Sequence, residues 1–201
     1  LNAWLASNGG ASATDVCSSV TWSNNFTSVS DTCGATGSAS VTFTATDNCG
    51  NSSSTTATFT IIDNTNPVIS VQASNLEVQC DGNGNTAALN AWLASNGGGA
   101  ATDVCSSVTW TNNFTSVSDT CGATGSASVT FTATDNCGNS SYTTATFTII
   151  DNTNPVISVQ ASNLEVQCDG NGNTAALNAW LASNGGASAT DVCSSVTWSN
   201  N

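Results

Sequence analysis

The sequence repeats itself, and this constrains the fold more than any other feature. The segment Leu-Asn-Ala-Trp-Leu-Ala-Ser-Asn-Gly-Gly begins at Leu1, at Leu89 and at Leu177, which sets a period of 88 residues. Such self-similarity is typical of architectures in which one structural unit recurs along the chain. The 201 residues hold two periods and the beginning of a third. We therefore expect a window on a longer array. Residues 1–88 and 89–176 differ only at Ala11/Gly99, Ser12/Ala100, Ser23/Thr111 and Ser54/Tyr142.

The prolines predict the module boundaries. The segment from Asp63 to Pro67 recurs from Asp151 to Pro155, and these two segments contain both prolines of the chain. A residue before proline favours extended geometry, and proline cannot donate to a strand ladder, so each segment is predicted to be an extended linker. One complete module is expected at residues 66–153. Residues 1–65 are then the C-terminal part of an incomplete module, and residues 154–201 the N-terminal part of another.

Short alternating segments predict an all-β module. Strands are predicted at residues 68–71, 76–80, 108–110, 114–117, 129–133 and 145–149. Leu89, Trp92 and Leu93 have helical spacing instead, which predicts a short helix from Thr86 to Ser95 with Asn85 or Thr86 as its N-cap. About seven short strands per period fit two packed sheets. We therefore expect tandem β-sandwich modules of 88 residues, each with one short helix.

The composition excludes several classes of function. The chain has 13 acidic residues and no Lys, Arg or His. Nothing cationic is present to contact phosphates, so nucleic-acid binding is not expected, and neither is direct membrane insertion or anchoring. No His or Lys is present as a catalytic base, and we expect no enzymatic activity.

Nine cysteines without histidine, at spacings too wide for zinc motifs, predict disulfides in an oxidising compartment. Each period has four cysteines, represented by Cys80, Cys105, Cys121 and Cys137. A straight strand between Cys121 and Cys137 would hold them about 33 Å apart. This favours the pairs Cys105–Cys137, Cys80–Cys121 and, in the first period, Cys17–Cys49. If the chain doubles back before Cys121, local pairing of Cys80 with Cys105 and of Cys121 with Cys137 is the alternative.

The most specific motif runs from Gly125 to Asn139 and reads Gly-Ser-Ala-Ser-Val-Thr-Phe-Thr-Ala-Thr-Asp-Asn-Cys-Gly-Asn. With Thr-Phe-Thr-Ile-Ile-Asp, which ends at Asp151, and Asn154-Pro155, it resembles the hyalin repeat (HYR). It is most similar to the HYR-like repeats of giant cell-surface proteins of Bacteroidota, including gliding adhesins. The resemblance covers the whole period and implies an Ig-like fold, type IX secretion and a role in adhesion. The usual last-strand cysteine is absent around Ala145, so that family's disulfide pattern is not carried over.

The acidic residues suggest a calcium hypothesis. A chain without basic residues has no other means of neutralising clustered acids, and Ca²⁺ prefers carboxylate and carbonyl oxygens. No other cofactor is expected. The alternative is that Asp residues placed two positions before cysteines, such as Asp103 and Asp135, only form turns. The calcium ligands proposed from the sequence are Asp63, Asn64, Glu77, Asp135, Asp151, Asn152 and Glu165.

A structural role follows from these expectations. The first hypothesis is a stalk or filament that extends the tip domain of a giant adhesin from the surface of a Gram-negative bacterium. The alternatives are an extracellular fibre in which the repeats themselves polymerise, and adhesive modules that bind glycans. The expected partners are neighbouring repeats of the same chain and other copies of it.

Overall fold

The computed structural model describes residues 1–200, which form mostly β-sheet with a few short helices. The strands are β1 (Val20–Asn24), β2 (Gly37–Asp47), β3 (Ser52–Ile61), β4 (Val68–Val71), β5 (Leu76–Gln79), β6 (Ala100–Thr102), β7 (Val108–Asn112), β8 (Gly125–Asp135), β9 (Ser140–Ile150), β10 (Val156–Val159) and β11 (Ser188–Thr190). The helices are α1 (Asn2–Ala6), α2 (Thr86–Ala94) and α3 (Thr174–Ala182). Within the described residues, no helix combines the length and the apolar character needed to cross a bilayer.

The chain divides into two compact units, each built from segments that are distant in sequence. The first contains residues 1–70, 101–110 and 133–141, and the second contains residues 71–100, 111–132 and 142–201. Residues 66–153, predicted as one complete module, contribute to both units. Segments from successive periods therefore share a unit.

An antiparallel sheet in the order β1–β2–β3 forms the body of the first unit. Ala39, Val41 and Phe43 are buried at alternate positions of β2, because successive side chains of a strand point to opposite faces. Trp4 of α1 covers this core. Its ring lies edge-on to Phe43 at a centroid distance of 5.3 Å and 5.5 Å from the ring of Phe59.

The equivalent core of the second unit is built on a sheet in the order β5–β9–β8–β7. Phe131 and Phe147 are fully buried there, and Trp92 of α2 packs edge-on against Phe131 at 5.2 Å. The Trp92 indole nitrogen donates a hydrogen bond of 2.9 Å to the Ser74 carbonyl, which satisfies its polar group inside the core. Strand β5 runs parallel to β9, with Leu76 opposite Phe147.

The strand predicted at residues 114–117 is wrong. Asn112 Oδ1 accepts a hydrogen bond from the Phe114 amide at 3.2 Å. Asn113 Oδ1 accepts one from the Thr130 amide of β8 at 2.8 Å. Amide side chains therefore take the place of backbone partners at the start of this segment, and no regular ladder forms there.

The predicted helix is confirmed as α2 and Asn85 is its N-cap residue, as predicted, but without the expected side-chain cap. Asn85 precedes the helix with a left-handed φ of 51°, and its side chain makes no capping hydrogen bond. The Asn85 side-chain Nδ2 instead donates a hydrogen bond to the Gln79 carbonyl at 2.8 Å. Asn tolerates this backbone conformation better than most residues, which lets the chain turn sharply from β5 into α2.

Candidate functional site: disulfide bridges and adjoining carboxylates

Two disulfides join cysteines that belong to different periods of the sequence. Cys33 is bonded to Cys137, with Cα atoms 5.2 Å apart and a sequence separation of 104 residues. Cys80 is bonded to Cys193, with Cα atoms 6.1 Å apart and a separation of 113 residues. Both separations exceed the 88-residue period. Each bridge therefore links one repeat to the next and lies within a single compact unit.

The predicted pairs Cys105–Cys137, Cys80–Cys121 and Cys17–Cys49 are wrong. Cys137 is bonded to Cys33 and Cys80 to Cys193, and the other five cysteines are unpaired in the part of the chain that the structure describes. The unpaired cysteines are Cys17, Cys49, Cys105, Cys121 and Cys168. All three predicted pairs join cysteines inside one period, whereas each observed bridge joins cysteines of neighbouring periods.

The long strand β8 separates Cys121 from Cys137, as predicted from the sequence. Strand β8 runs from Gly125 to Asp135 between them and spans roughly 36 Å. Cys33 is the equivalent of Cys121 one period earlier, and it takes the place beside Cys137. Similarly, Cys193 is the later equivalent of Cys105 and binds Cys80. The alternative of local pairing, Cys80 with Cys105 and Cys121 with Cys137, thus paired equivalent positions of the repeat correctly but placed both partners in the same repeat.

Aspartate side chains shape the turns that carry two of the bonded cysteines. Asp135 Oδ1 accepts hydrogen bonds from the amides of Cys137 at 2.8 Å and Asn139 at 2.9 Å. Asp191 Oδ1 does the same for the amides of Cys193 at 2.8 Å and Ser194 at 2.9 Å. In these two Asp-X-Cys motifs the aspartate forms the turn that positions the cysteine, as the turn hypothesis predicted. In Asp31-Thr-Cys33, by contrast, the Cys33 amide donates to Thr36 Oγ1.

These hydrogen bonds also set the charge state of the aspartates. Burial raises the pKa of Asp135, but hydrogen bonds from Asn139, Cys137 and Gly138 outweigh it and lower the pKa below its usual value. The pKa of Asp191 is lowered chiefly by the hydrogen bond from the Cys193 amide. Both side chains are thus held as carboxylates, the form that accepts these bonds best.

Backbone hydrogen bonds flank the Cys80–Cys193 bridge. The Cys80 amide donates to the Ile150 carbonyl at 2.8 Å, which extends the β5–β9 pairing by one residue. The Ala123 amide donates to the Cys193 carbonyl at 2.7 Å. Cys80 and Cys193 are 7% and 4% exposed, so this bridge is shielded from reductants in solution.

A carboxylate pair lies beside Cys105 and beside its equivalent one period later, Cys193. Ligand atoms of Asp63, Asp103 and Cys105 lie within 4.8 Å of one another, and those of Asp151, Asp191 and Cys193 repeat the arrangement. Asp63 Oδ1 accepts hydrogen bonds from Thr65, whereas its Oδ2 is buried and has no hydrogen-bond partner among residues 1–200.

The predicted calcium ligands are only partly brought together. Asp63 and Asp151 belong to the two clusters. Asp135 is buried, but both of its oxygens already accept hydrogen bonds from Asn139 or Cys137. Asn64, Glu77, Asn152 and Glu165 are exposed.

Asp103 and Asp191 were not among the predicted ligands. Their shared Asp-Val-Cys motif was the available signal, but it indicated turns. Because Cys193 Sγ is in a disulfide, the only anionic donors of that cluster are its carboxylates, which suit a hard cation such as Ca²⁺. Two carboxylates supply fewer than the six to eight oxygens that Ca²⁺ takes, so backbone carbonyls or water would have to complete a site.

The unpaired Cys105 is not an activated nucleophile. Burial raises the pKa of its thiol, and the negative charges of Asp63, Asp103 and Asp135 raise it further. A thiol in such surroundings stays protonated at neutral pH, whereas reactive cysteines require a lowered pKa.

The two disulfides are compatible with an extracellular protein. Compared with known proteins, the chain matches no family model, and no curated protein gives a significant match.

Proposed function

We propose that this chain is part of the structural repeat region of a secreted cell-surface adhesin. In this proposal, tandem HYR-like modules of 88 residues with an Ig-like sandwich fold form a stalk. The stalk holds an adhesive tip domain away from a bacterial surface, of the Bacteroidota type that the resemblance implies. The role is mechanical rather than catalytic. The near-identity of the periods supports it, because a spacer can change length by gaining or losing whole repeats.

The overlap of the two bridges is the observation that carries this proposal. The Cys33–Cys137 bridge and the Cys80–Cys193 bridge both span the residues between Cys80 and Cys137. A single backbone cut anywhere between Cys33 and Cys193 therefore leaves one covalently joined molecule. A spacer outside the cell meets proteases and pulling forces, and overlapping bridges protect it against both.

The bridges also limit how far the chain can be stretched. When the ends are pulled apart, the load crosses the Cys80–Cys193 bond and bypasses the 113 residues between these cysteines. Reduction frees those residues, which adds about 380 Å of extended chain at 3.3–3.6 Å per residue. An intact stalk is thus extended less than a reduced one by loads that unfold its sheets.

Single-molecule force spectroscopy tests this role. The chain is pulled from its termini before and after reduction, and we expect a gain in contour length of about 380 Å. Cys80→Ser should lower the gain to about 350 Å, because only the 104-residue bridge remains. The matched control Cys49→Ser with Cys121→Ser alters two unpaired cysteines and should leave the gain unchanged. Pairing within single periods would give a gain of only about 250 Å and would contradict the proposal.

A self-assembling fibre is the second candidate. It is favoured by an open cleft of about 340 Å³ in the second unit, lined by Leu164, Val166, Leu177 and Trp180. Negative-stain electron microscopy of the purified chain, in calcium and in chelator, distinguishes the candidates. Isolated particles in both conditions support the stalk, and ordered fibres or bundles support assembly by the repeats themselves.

A further inference from the structure

The two bridges follow two fixed separations, and these separations account for all nine cysteines. The Cys33–Cys137 separation of 104 residues is one period plus the 16 residues between Cys121 and Cys137. The Cys80–Cys193 separation of 113 residues is one period plus the 25 residues between Cys80 and Cys105. A cysteine equivalent to Cys121 therefore pairs with one equivalent to Cys137 in the next repeat. A cysteine equivalent to Cys80 pairs with one equivalent to Cys105 in the next repeat.

Applied to the unpaired cysteines, the same separations always point outside the chain. A cysteine 104 residues after Cys121, or 113 residues after Cys168, would lie beyond residue 201. A cysteine 104 residues before Cys49, or 113 residues before Cys17 and Cys105, would lie before residue 1. Among residues 1–200, every cysteine whose partner at these separations lies within the chain is bonded to that partner.

The surroundings of Cys105 match those of the bonded Cys193. The Cys105 amide donates to Asp103 Oδ1 at 2.8 Å, as the Cys193 amide does to Asp191 Oδ1. The Cys105 carbonyl accepts a hydrogen bond from the Ala35 amide at 2.9 Å, which corresponds to the 2.7 Å bond from Ala123 to Cys193. The unpaired cysteine is thus held in the backbone arrangement of the bonded one.

Cys121 likewise matches the bonded Cys33. Thr124 Oγ1 lies 3.3 Å from Cys121 Sγ, and Thr36 Oγ1 lies 3.1 Å from Cys33 Sγ. In both loops, the same threonine hydroxyl also donates to the carbonyl of the cysteine, at 2.7 and 2.6 Å respectively. The loop that carries the unpaired Cys121 therefore has the same hydrogen bonds as the loop that carries the bonded Cys33.

A cleft lined in part by Leu164 and Val166, in the segment that precedes Cys168, indicates which strand a following repeat would supply. Leu177 of α3 is 50% exposed, whereas the equivalent Leu89 of α2 is 7% exposed. In the middle period, this region is covered by β9, which lies beside β5 and places Phe147 against Trp92 at 5.7 Å. The cleft thus has the lining against which a β9-type strand packs one period earlier.

We propose that the unpaired cysteines are halves of bridges to further repeats of this sequence in one continuous chain, so that every repeat is bonded to both neighbours. Each bridge forms when two thiols lose two protons and two electrons. The electrons reduce a disulfide oxidant, such as oxidised glutathione, to two thiols. Because both separations exceed the period, each type of bridge spans every backbone position at least once. The interior of such an array is therefore held by at least two bridges everywhere.

A lengthened chain tests this proposal. Appending residues 26–113 after Asn201 continues the sequence by one period, and thiols are counted by maleimide labelling of oxidised protein under non-reducing denaturation. We expect five thiols in both chains. Cys121→Ser should lower the count to four in the 201-residue chain and raise it to six in the lengthened chain, because its new partner then loses its bond. The control Cys49→Ser should lower the count by one in both.

Other outcomes would overturn the proposal. If Cys121→Ser lowers the count in both chains, Cys121 has no partner in the added repeat. If it raises the count in both, Cys121 is bonded inside the 201-residue chain. Covalent ladders of the 201-residue chain on non-reducing gels, abolished by Cys121→Ser, would assign these bridges to association between separate chains. The thiol counts do not depend on whether the array serves as a stalk or as a fibre.

Discussion

Cys80 and Cys193 are 113 residues apart in sequence and bonded in the structure, with both side chains buried. A bridge that closes a loop of about 100 residues stabilises the fold by roughly 5 kcal/mol in the chain-entropy description. Pairing within one period would close shorter loops, which the same relation values at roughly 3–4 kcal/mol each. Bridging between successive sequence repeats thus stabilises the fold more than bridging within one repeat would.

Tryptic cleavage at a single introduced site should leave the chain in one piece. The chain has no Lys or Arg, so Asn64→Arg, in the exposed segment between β3 and β4, creates the one site at which trypsin can cut. We expect the cleaved protein to run as one species on non-reducing gels, because Cys33–Cys137 joins its two fragments. Adding Cys33→Ser should release the fragments without reductant, and adding Cys49→Ser should not. Release in the absence of any cysteine substitution would contradict the bridge.

Replacing the core residue Phe131 should destabilise the second unit. Phe131 is fully buried and packs edge-on against Trp92. Phe131→Ala should lower the free energy of unfolding by about 3–5 kcal/mol, as measured by denaturant titration. Tyr142→Ser is the control, because Tyr142 is 72% exposed and the equivalent residue of the first period is Ser54. Its effect should stay within about 0.5 kcal/mol. Equal effects of the two substitutions would show that this core is not formed.

Stability should fall in acid. The folded-state pKa values of Asp47, Asp81 and Asp135 are lowered, chiefly by hydrogen bonds from nearby Asn side chains and backbone amides. A lowered folded-state pKa contributes stability above the unfolded value of about 3.9, and this is lost as the pH falls through the folded-state pKa. We therefore expect lower urea midpoints at pH 3 than at pH 6.

Protonation also relieves repulsion among the 13 acidic residues, which acts in the opposite direction. The comparison with Asp135→Asn isolates the hydrogen-bonded carboxylate, because this variant lacks the group that titrates. Its urea midpoint should change less with pH than that of the unsubstituted chain. An equal pH dependence in both proteins would rule out Asp135 as a contributor.

The calcium hypothesis predicts a higher melting temperature in millimolar Ca²⁺ than in chelator. The buried Asp63 Oδ2 has no hydrogen-bond partner, and an ion shared with Asp103 would neutralise both carboxylates. Asp63→Asn should reduce the difference between calcium and chelator, whereas Glu77→Gln, at an exposed position, should preserve it. Identical melting temperatures in calcium and in chelator would contradict the calcium hypothesis.

Local structure could be predicted from the sequence because its causes are local. The alternation around Val129 and Phe131 predicted β8, and the spacing of Leu89 and Trp92 predicted α2. Asp-X-Cys indicated turns for the same reason, since the accepting carboxylate and the donating amide are two residues apart. The 114–117 strand was wrongly predicted because the side chains of Asn112 and Asn113 compete with the backbone for its hydrogen bonds.

The pairing of the cysteines could not be decided in this way. Residues 24–53 and 112–141 are identical, so Cys33 and Cys121 have the same neighbours along the chain. No local property can tell which of them binds Cys137, because the two differ only in their position relative to the rest of the fold. By itself, the sequence determined the period, most of the strands and the turns that present Cys137 and Cys193. Only the tertiary structure, which holds Cys121 at the far end of β8 and brings Cys33 beside Cys137, decided that the bridges join successive repeats.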